Sequence, residues 1–265
     1  MNFKLNNNKN LPLTIYGSKK LNHIYYEEKK GSAQCKSAVI LGAMRTNGST
    51  LIKAKKSRNH TELLSKYLKL PIKIKNKKNY DLIEVSKVKK INPLNYKIPS
   101  DISSSAFFIV LTVLSKKSKL LIKNVNINPS RIGIIHILRK MGADIIFKNL
   151  KTYKGEKIAD ILIKGGRSLK SIKCPSKFNS GAIDEFLVIF LVAAKAVGVS
   201  YFKDLAELNQ KESPRLIWAS KILNMMGIKN IVSKSSIKIY GNPNLDIKKK
   251  NIYQKLFKRS QSVYD

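Results

Sequence analysis

Two stretches of this 265-residue chain place chemically capable side chains at close spacing. In the first, Gly31-Ser32-Ala33-Gln34 leads directly into the apolar run Ser37 to Met44, and a loop containing Ser57-Arg58 follows. Small residues at a helix start let a ligand approach N–H groups that have no partner within the helix, and the helix dipole favours negative charge there. In the second, Asp184 and Glu185 open the apolar run Phe186 to Ala194, and the segment Asp204 to Arg215 brings Lys211, Glu212 and Arg215 together beside another helix. A carboxylate, a lysine and an arginine at one end of a folded unit can hold phosphate and carboxylate groups while a proton moves. Each feature also has a plain structural use: Gly-Ser-Ala as cap and turn, acidic residues as caps, the charged segment as a solvated loop.

These residues depend on elements that recur along the chain. Leu11 to Tyr16 alternate as a strand, Ser37 to Met44 read as a helix, and Ser49 to Lys53 as a short strand. Asn59, three before Glu62, suggests a capping box for a helix over 61–68, followed by strands over 70–75 and 80–85. A proline-bearing connection over 92–100 is the expected domain boundary. Beyond it the order returns twice. Helices over 104–115 and 131–141 come with strands over 119–124, 144–147 and 161–164; helices over 183–196 and 214–226 come with strands over 199–202, 229–232 and 237–240. A repeat of roughly 70–80 residues is a whole βαβαββ unit, longer than any solenoid repeat. Phe186 to Ala194 is apolar nearly all round and is expected to be buried on every side, and Trp218 is expected in a core. Ser103-Ser104-Ser105 read as helix caps, Cys35 as a small, partly buried residue, and 248–265 as a poorly ordered basic tail.

Composition narrows the class. Hydrophobic content of 43% is that of a folded protein, and the apolar runs fall short of the roughly 20 residues that a membrane span needs. The two cysteines, Cys35 and Cys174, make neither a disulfide framework nor a metal site, and the three histidines lack ligand spacing. A soluble protein of a reducing cytoplasm is expected. The formal charge of +36 comes from lysines spread along the whole chain. With no RNA-recognition signature or zinc-finger spacing, the charge reads as composition around a small anionic ligand; a basic nucleic-acid-binding protein on the same fold is the alternative.

Five segments in order carry a resemblance: Gly31-Ser-Ala-Gln-Cys-Lys-Ser37, Ser57-Arg-Asn-His-Thr-Glu62, Pro99-Ser-Asp-Ile-Ser-Ser104, Ile183-Asp-Glu185 and Ala206-Glu-Leu-Asn-Gln-Lys-Glu-Ser213. From about Leu11 to Asn244 the chain resembles the 5-enolpyruvylshikimate-3-phosphate (EPSP) synthase family. The sister family, UDP-N-acetylglucosamine enolpyruvyl transferase, shares the architecture but fits worse at Ser-Ala-Gln and Lys-Glu-Ser. The resemblance implies an α/β (α+β) fold of repeated βαβαββ units in a partial two-domain, inside-out α/β barrel of the enolpyruvyl transferase type. Residues 1–97 would be the C-terminal part of domain 1, residues 98–247 two units of domain 2, and 248–265 a non-matching tail. Substrates would bind in the cleft between the domains of a typically monomeric enzyme.

The implied reaction moves the enolpyruvyl group of phosphoenolpyruvate onto the 5-hydroxyl of shikimate 3-phosphate and releases phosphate, with no metal or organic cofactor. Ser32, Ala33 and Gln34 would hold shikimate 3-phosphate, with Arg58 in the loop near its phosphate and Gln34 reaching phosphoenolpyruvate as well. Asp184 would be the base on the 5-hydroxyl, Lys211 would bridge the two substrates, Glu212 would exchange a proton at the methylene carbon, and Arg215 would clamp phosphoenolpyruvate. The family's N-terminal substrate-contacting segment and its Asp-His-Arg motif have no counterpart here. The expectation is therefore an incomplete family member with impaired activity and exposed apolar faces.

Overall fold

The computed structural model describes residues 2–6, 10–18, 20–210 and 213–245. The chain divides into two compact units, one running to Tyr96 together with Lys154–Glu156, the other made of Lys97–Tyr153 and the chain from Lys157 onward. The tail expected at 248–265 lies outside the described residues.

In the first unit an antiparallel pair, β1 (Asn2–Asn6) and β2 (Asn10–Tyr16), precedes a βαβαββ run. That run is β3 (Tyr25–Glu28), α1 (Ala33–Ala43), β4 (Ser49–Lys55), α2 (His60–Tyr67), β5 (Ile72–Asn76) and β6 (Tyr80–Ser86). The sheet order is β3-β4-β6-β5. β3 runs parallel to β4, with Tyr25 opposite Leu51, and the other pairs are antiparallel. Alternation buries Thr50, Ile52 and Ala54 on β4 and Asp81, Ile83 and Val85 on β6, as period-two side chains require. Ile40 and Ala43 of α1, with Met44 just beyond its end, pack over this face.

The second unit repeats the arrangement twice. α3 (Ile102–Leu114), β7 (Lys119–Asn126), α4 (Gly133–Lys140), β8 (Asp144–Tyr153) and β9 (Glu156–Lys164) form the first copy. α5 (Phe186–Lys195), β10 (Val199–Phe202), α6 (Arg215–Met225), β11 (Asn230–Val232) and β12 (Ile237–Tyr240) form the second. The sheet orders, β7-β9-β8 and β10-β12-β11, reproduce the pattern of the first unit without its opening strand. The opening strand survives as single parallel bridges, Ser100 to Val125 in one copy and Lys170 to Val197 and Lys173 to Tyr201 in the other.

Apolar α3 and α5 form the centre of this unit. Ala106, Ile109, Val110 and Val113 of α3 and Phe186, Ile189, Phe190 and Val192 of α5 are buried in one cluster with Phe202. The three phenylalanine rings sit 5.1–6.0 Å apart in tilted and edge-on contacts, the geometry that ring quadrupoles favour. Gly133, at the start of α4, approaches Gly181 so closely that a Cβ would lie 2.6 Å from its carbonyl carbon.

Several local expectations change. α1 begins at Ala33, four residues earlier than the apolar pattern suggested, because Ser32 caps it. α5 is not buried all round, since Leu187 is exposed, and Trp218 is half exposed instead of packed in a core. Asp101, ahead of the three serines, caps α3 by accepting from Ser104 N at 2.8 Å. Asn59 makes no side-chain cap to α2. Among the described residues no helix is long and apolar enough to cross a membrane.

Candidate functional site

In the first unit Gly31 takes a left-handed φ of 81°, which glycine adopts without strain. The Glu28 carboxylate secures this turn, accepting from Lys30 N at 2.9 Å and Gly31 N at 2.6 Å. Ser32 Oγ then accepts from Cys35 N at 3.2 Å and sets the start of α1. Ala33 and Gln34 are therefore the first two helical residues, with Gln34 exposed. Cys35 is exposed too, contrary to the partly buried position expected of it.

The Ser57-Arg58 loop is tied to this helix by a residue that the sequence reading passed over. Lys36 Nζ is fully buried, donates to the Arg58 carbonyl at 2.8 Å and pairs with Glu62 Oε1 at 2.6 Å. Beside it the hydroxyls of Ser37 and Thr61 meet at 2.6 Å. The Ser57 hydroxyl is buried with no hydrogen-bond partner among the described residues, so a polar donor or acceptor stands unused next to Arg58. The sequence did hold a signal. Lys36 lies four before Ile40 and seven before Ala43, on the buried face of α1, and a charge on such a face requires a partner.

In the second unit Asp184 and Glu185 precede α5 and diverge in environment. Asp184 is partly exposed, with Oδ1 3.5 Å from Arg215 Nη1, and the two side chains keep 31% and 24% of their surface. Glu185 is buried and accepts a hydrogen bond from Ser103 Oγ. Ser103 Oγ in turn accepts from Arg131 Nη2 at 2.6 Å, and Arg131 pairs with Asp101 at 3.0 Å. Burial pushes the Asp101 carboxyl up, but the Ser104 N–H and the Arg131 charge outweigh it and hold the group below its ordinary value. Asn209 Oδ1 accepts from Leu216 N at 3.1 Å, fixing the first turn of α6 and with it Arg215.

The structure thus brings Asp184 and Arg215 together in one unit, and Ser32 and Arg58 onto adjoining elements of the other. Lys211 and Glu212 lie outside the described residues. Among the described residues there is no group of three or more histidine, cysteine or acidic side chains that could hold a metal ion. Burial pushes the Cys174 thiol up to about 11, which leaves it protonated and unreactive at neutral pH. A carboxylate next to a guanidinium can take a hydroxyl proton while the arginine holds a phosphate or carboxylate oxygen.

Comparison with known proteins gives this geometry a family. Residues 2–250 match the family model for EPSP synthase (3-phosphoshikimate 1-carboxyvinyltransferase). The chain is 41% identical over 236 residues to the 3-phosphoshikimate 1-carboxyvinyltransferase of Ruthia magnifica subsp. Calyptogena magnifica, covering 89% of this chain and 53% of that one. It is 36% identical over 241 residues to the Petrotoga mobilis protein of the same name, covering 91% and 55%. The chain therefore spans about half the length of the curated relatives it matches. Among solved structures, EPSP synthase from Acinetobacter baumannii superposes with a TM-score of 0.81 at 35% identity, over 91% of this chain and 54% of that one. The enolpyruvyl transferase NikO from Streptomyces tendae, at 14% identity and TM-score 0.58 over 86% and 52%, shares the fold. The chain belongs to the EPSP synthase (3-phosphoshikimate 1-carboxyvinyltransferase) family.

Proposed function

We propose that this chain serves the transfer of the enolpyruvyl group from phosphoenolpyruvate to the 5-hydroxyl of shikimate 3-phosphate, with release of phosphate. The observation that carries the reading is the contact of partly exposed Asp184 with Arg215 at the start of a buried helix. Asp184 accepts the 5-hydroxyl proton as the oxygen attacks C2 of phosphoenolpyruvate. Glu212 delivers a proton to the methylene carbon and takes one back as phosphate leaves. Arg215 clamps phosphoenolpyruvate, and Lys211 bridges the two substrates. Ser32, Ala33 and Gln34 at the start of α1, with Arg58, hold shikimate 3-phosphate, and Gln34 also reaches phosphoenolpyruvate.

By this reading residues 1–97 belong to the C-terminal part of domain 1 and 98–247 to two units of domain 2. The working state is a cytoplasmic monomer, and the lysine excess is composition with no nucleic-acid role. The test is phosphate released from phosphoenolpyruvate in the presence of shikimate 3-phosphate, by a turnover-competent protein that carries this chain. Loss of a general base typically costs about 10²–10⁴-fold, so Asp184→Asn lowers the rate by that order. An unchanged rate refutes the assignment.

A further inference from the structure

Lys36 occupies a position whose neighbours on the same helix face are apolar. It shares the buried face of α1 with Ile40 and Ala43 and has no exposed surface. A buried ion pair is weak evidence of a gain in stability, because well-packed hydrophobic residues of similar volume often do as well or better. The pair is also not arranged for its own satisfaction. Glu62 Oε1 receives the lysine at 2.6 Å, while Glu62 Oε2 is buried without a hydrogen-bond partner. Lys36 instead directs an N–H to the backbone carbonyl of Arg58 at 2.8 Å. The neighbouring Ser37–Thr61 contact ties α1 to α2 but does not reach the loop backbone.

We propose that Lys36, held by Glu62, is a positioning residue that fixes the loop 57–59 against α1. It sets the spacing between Ser32–Gln34 on the helix and Ser57-Arg58 on the loop, and so the grip of the first unit on a phosphate-bearing small molecule. The ligand part of this inference rests on the function proposed above; the clamp itself rests only on the contacts.

The experiment uses the full chain, Lys36→Met, and the double variant Lys36→Met/Glu62→Leu, which removes both buried charges and keeps the site packed. Amide hydrogen exchange reads the clamp without any ligand. In both variants exchange across 57–59 and 31–34 rises by about tenfold or more against amides of β4 and β6, as local opening becomes easier. The double variant recovers the thermal midpoint that the single variant loses, yet not this protection. Titration with inorganic phosphate, followed at the amides of Ser32–Gln34, reads the grip. Loss of one charge-assisted hydrogen bond from the loop weakens phosphate in the double variant by about tenfold. Protection unchanged in the loop, or restored together with stability in the double variant, overturns the clamp. Phosphate bound equally by the parent chain and the double variant overturns it as well. A parent chain that binds no phosphate defeats the substrate reading alone, and the exchange measurement still decides the clamp.

Discussion

Phe186→Ala tests whether the core under α5 holds Asp184 and Glu185 in place. Phe186 is the first residue of α5, fully buried, with ring centroids 5.7 Å from Phe190 and 6.0 Å from Phe202. Truncating a buried phenylalanine to alanine costs about 3–5 kcal/mol through lost transfer energy and the cavity left behind. Against a domain stability of about 5–15 kcal/mol, that loss is large but leaves the unit folded at 25 °C in most of the range. At about 2–4 °C per kcal/mol for a unit of this size, the thermal midpoint falls by about 6–20 °C. Scanning calorimetry on the parent chain and the variant measures it. A double-mutant cycle with Phe202→Ala isolates the edge-on contact, with a coupling of about 0.5–1.5 kcal/mol expected. A fall below about 3 °C, with no coupling, would show that the aromatic cluster does not bear on α5 as the packing implies.

Other perturbations read separate parts of the account. His136 stacks on Phe178, and burial, then the charges of Arg139 and Lys177, lower its pKa below the ordinary 6.5. A depressed folded pKa contributes stability that is present above the unfolded value and lost as pH falls through the folded one. The thermal midpoint therefore falls on acidification below about pH 6.5, and His136→Phe flattens that dependence relative to the parent chain. Phe107, Phe108 and Leu111 keep 60–66% of their surface exposed on one stretch of α3, so Phe107→Glu/Leu111→Glu raises the concentration at which light scattering appears while helical circular dichroism is kept. The +36 charge gives only weak binding to random-sequence DNA, read by anisotropy, that disappears at physiological salt; tight binding there would restore the nucleic-acid alternative.

What the sequence revealed follows from how strongly each element depends on apolar periodicity. α3 and α5 were legible because their apolar runs are longer than a short buried strand needs, even though Phe107, Phe108 and Leu111 of α3 stay exposed. β3 was missed because Tyr25-Tyr26-Glu27-Glu28 is half charged: among the described residues it is an edge strand paired with β4 alone, and its exposed side needs no apolar residues. β8 and β9 run longer than read because their turn is Lys154-Gly155, with φ of 47° and 88°. A lysine at the first position of such a mirror-image turn is an uncommon signal.

The site was half legible on the same grounds. Ser32 and Asp184 show as residues at helix starts, but which partners meet them is a tertiary matter. Glu62 looked like part of a capping box with Asn59, and the structure turns its carboxylate to Lys36 instead, since an unpaired buried lysine costs more than an uncapped helix start. Ser103 looked like a cap and instead links Arg131 to Glu185 across three separate elements, a connection that no local spacing encodes.

The proposal most directly open to test is that Gln34, at the start of α1, and Asp184, just before α5, each contribute to binding of shikimate 3-phosphate. Isothermal titration of shikimate 3-phosphate into the full chain measures this directly. The account predicts saturable binding that weakens by about tenfold or more in Gln34→Ala and in Asp184→Ala, each of which removes a hydrogen-bonding partner of a charged ligand. Absence of saturable binding, or binding indifferent to both substitutions, would contradict it.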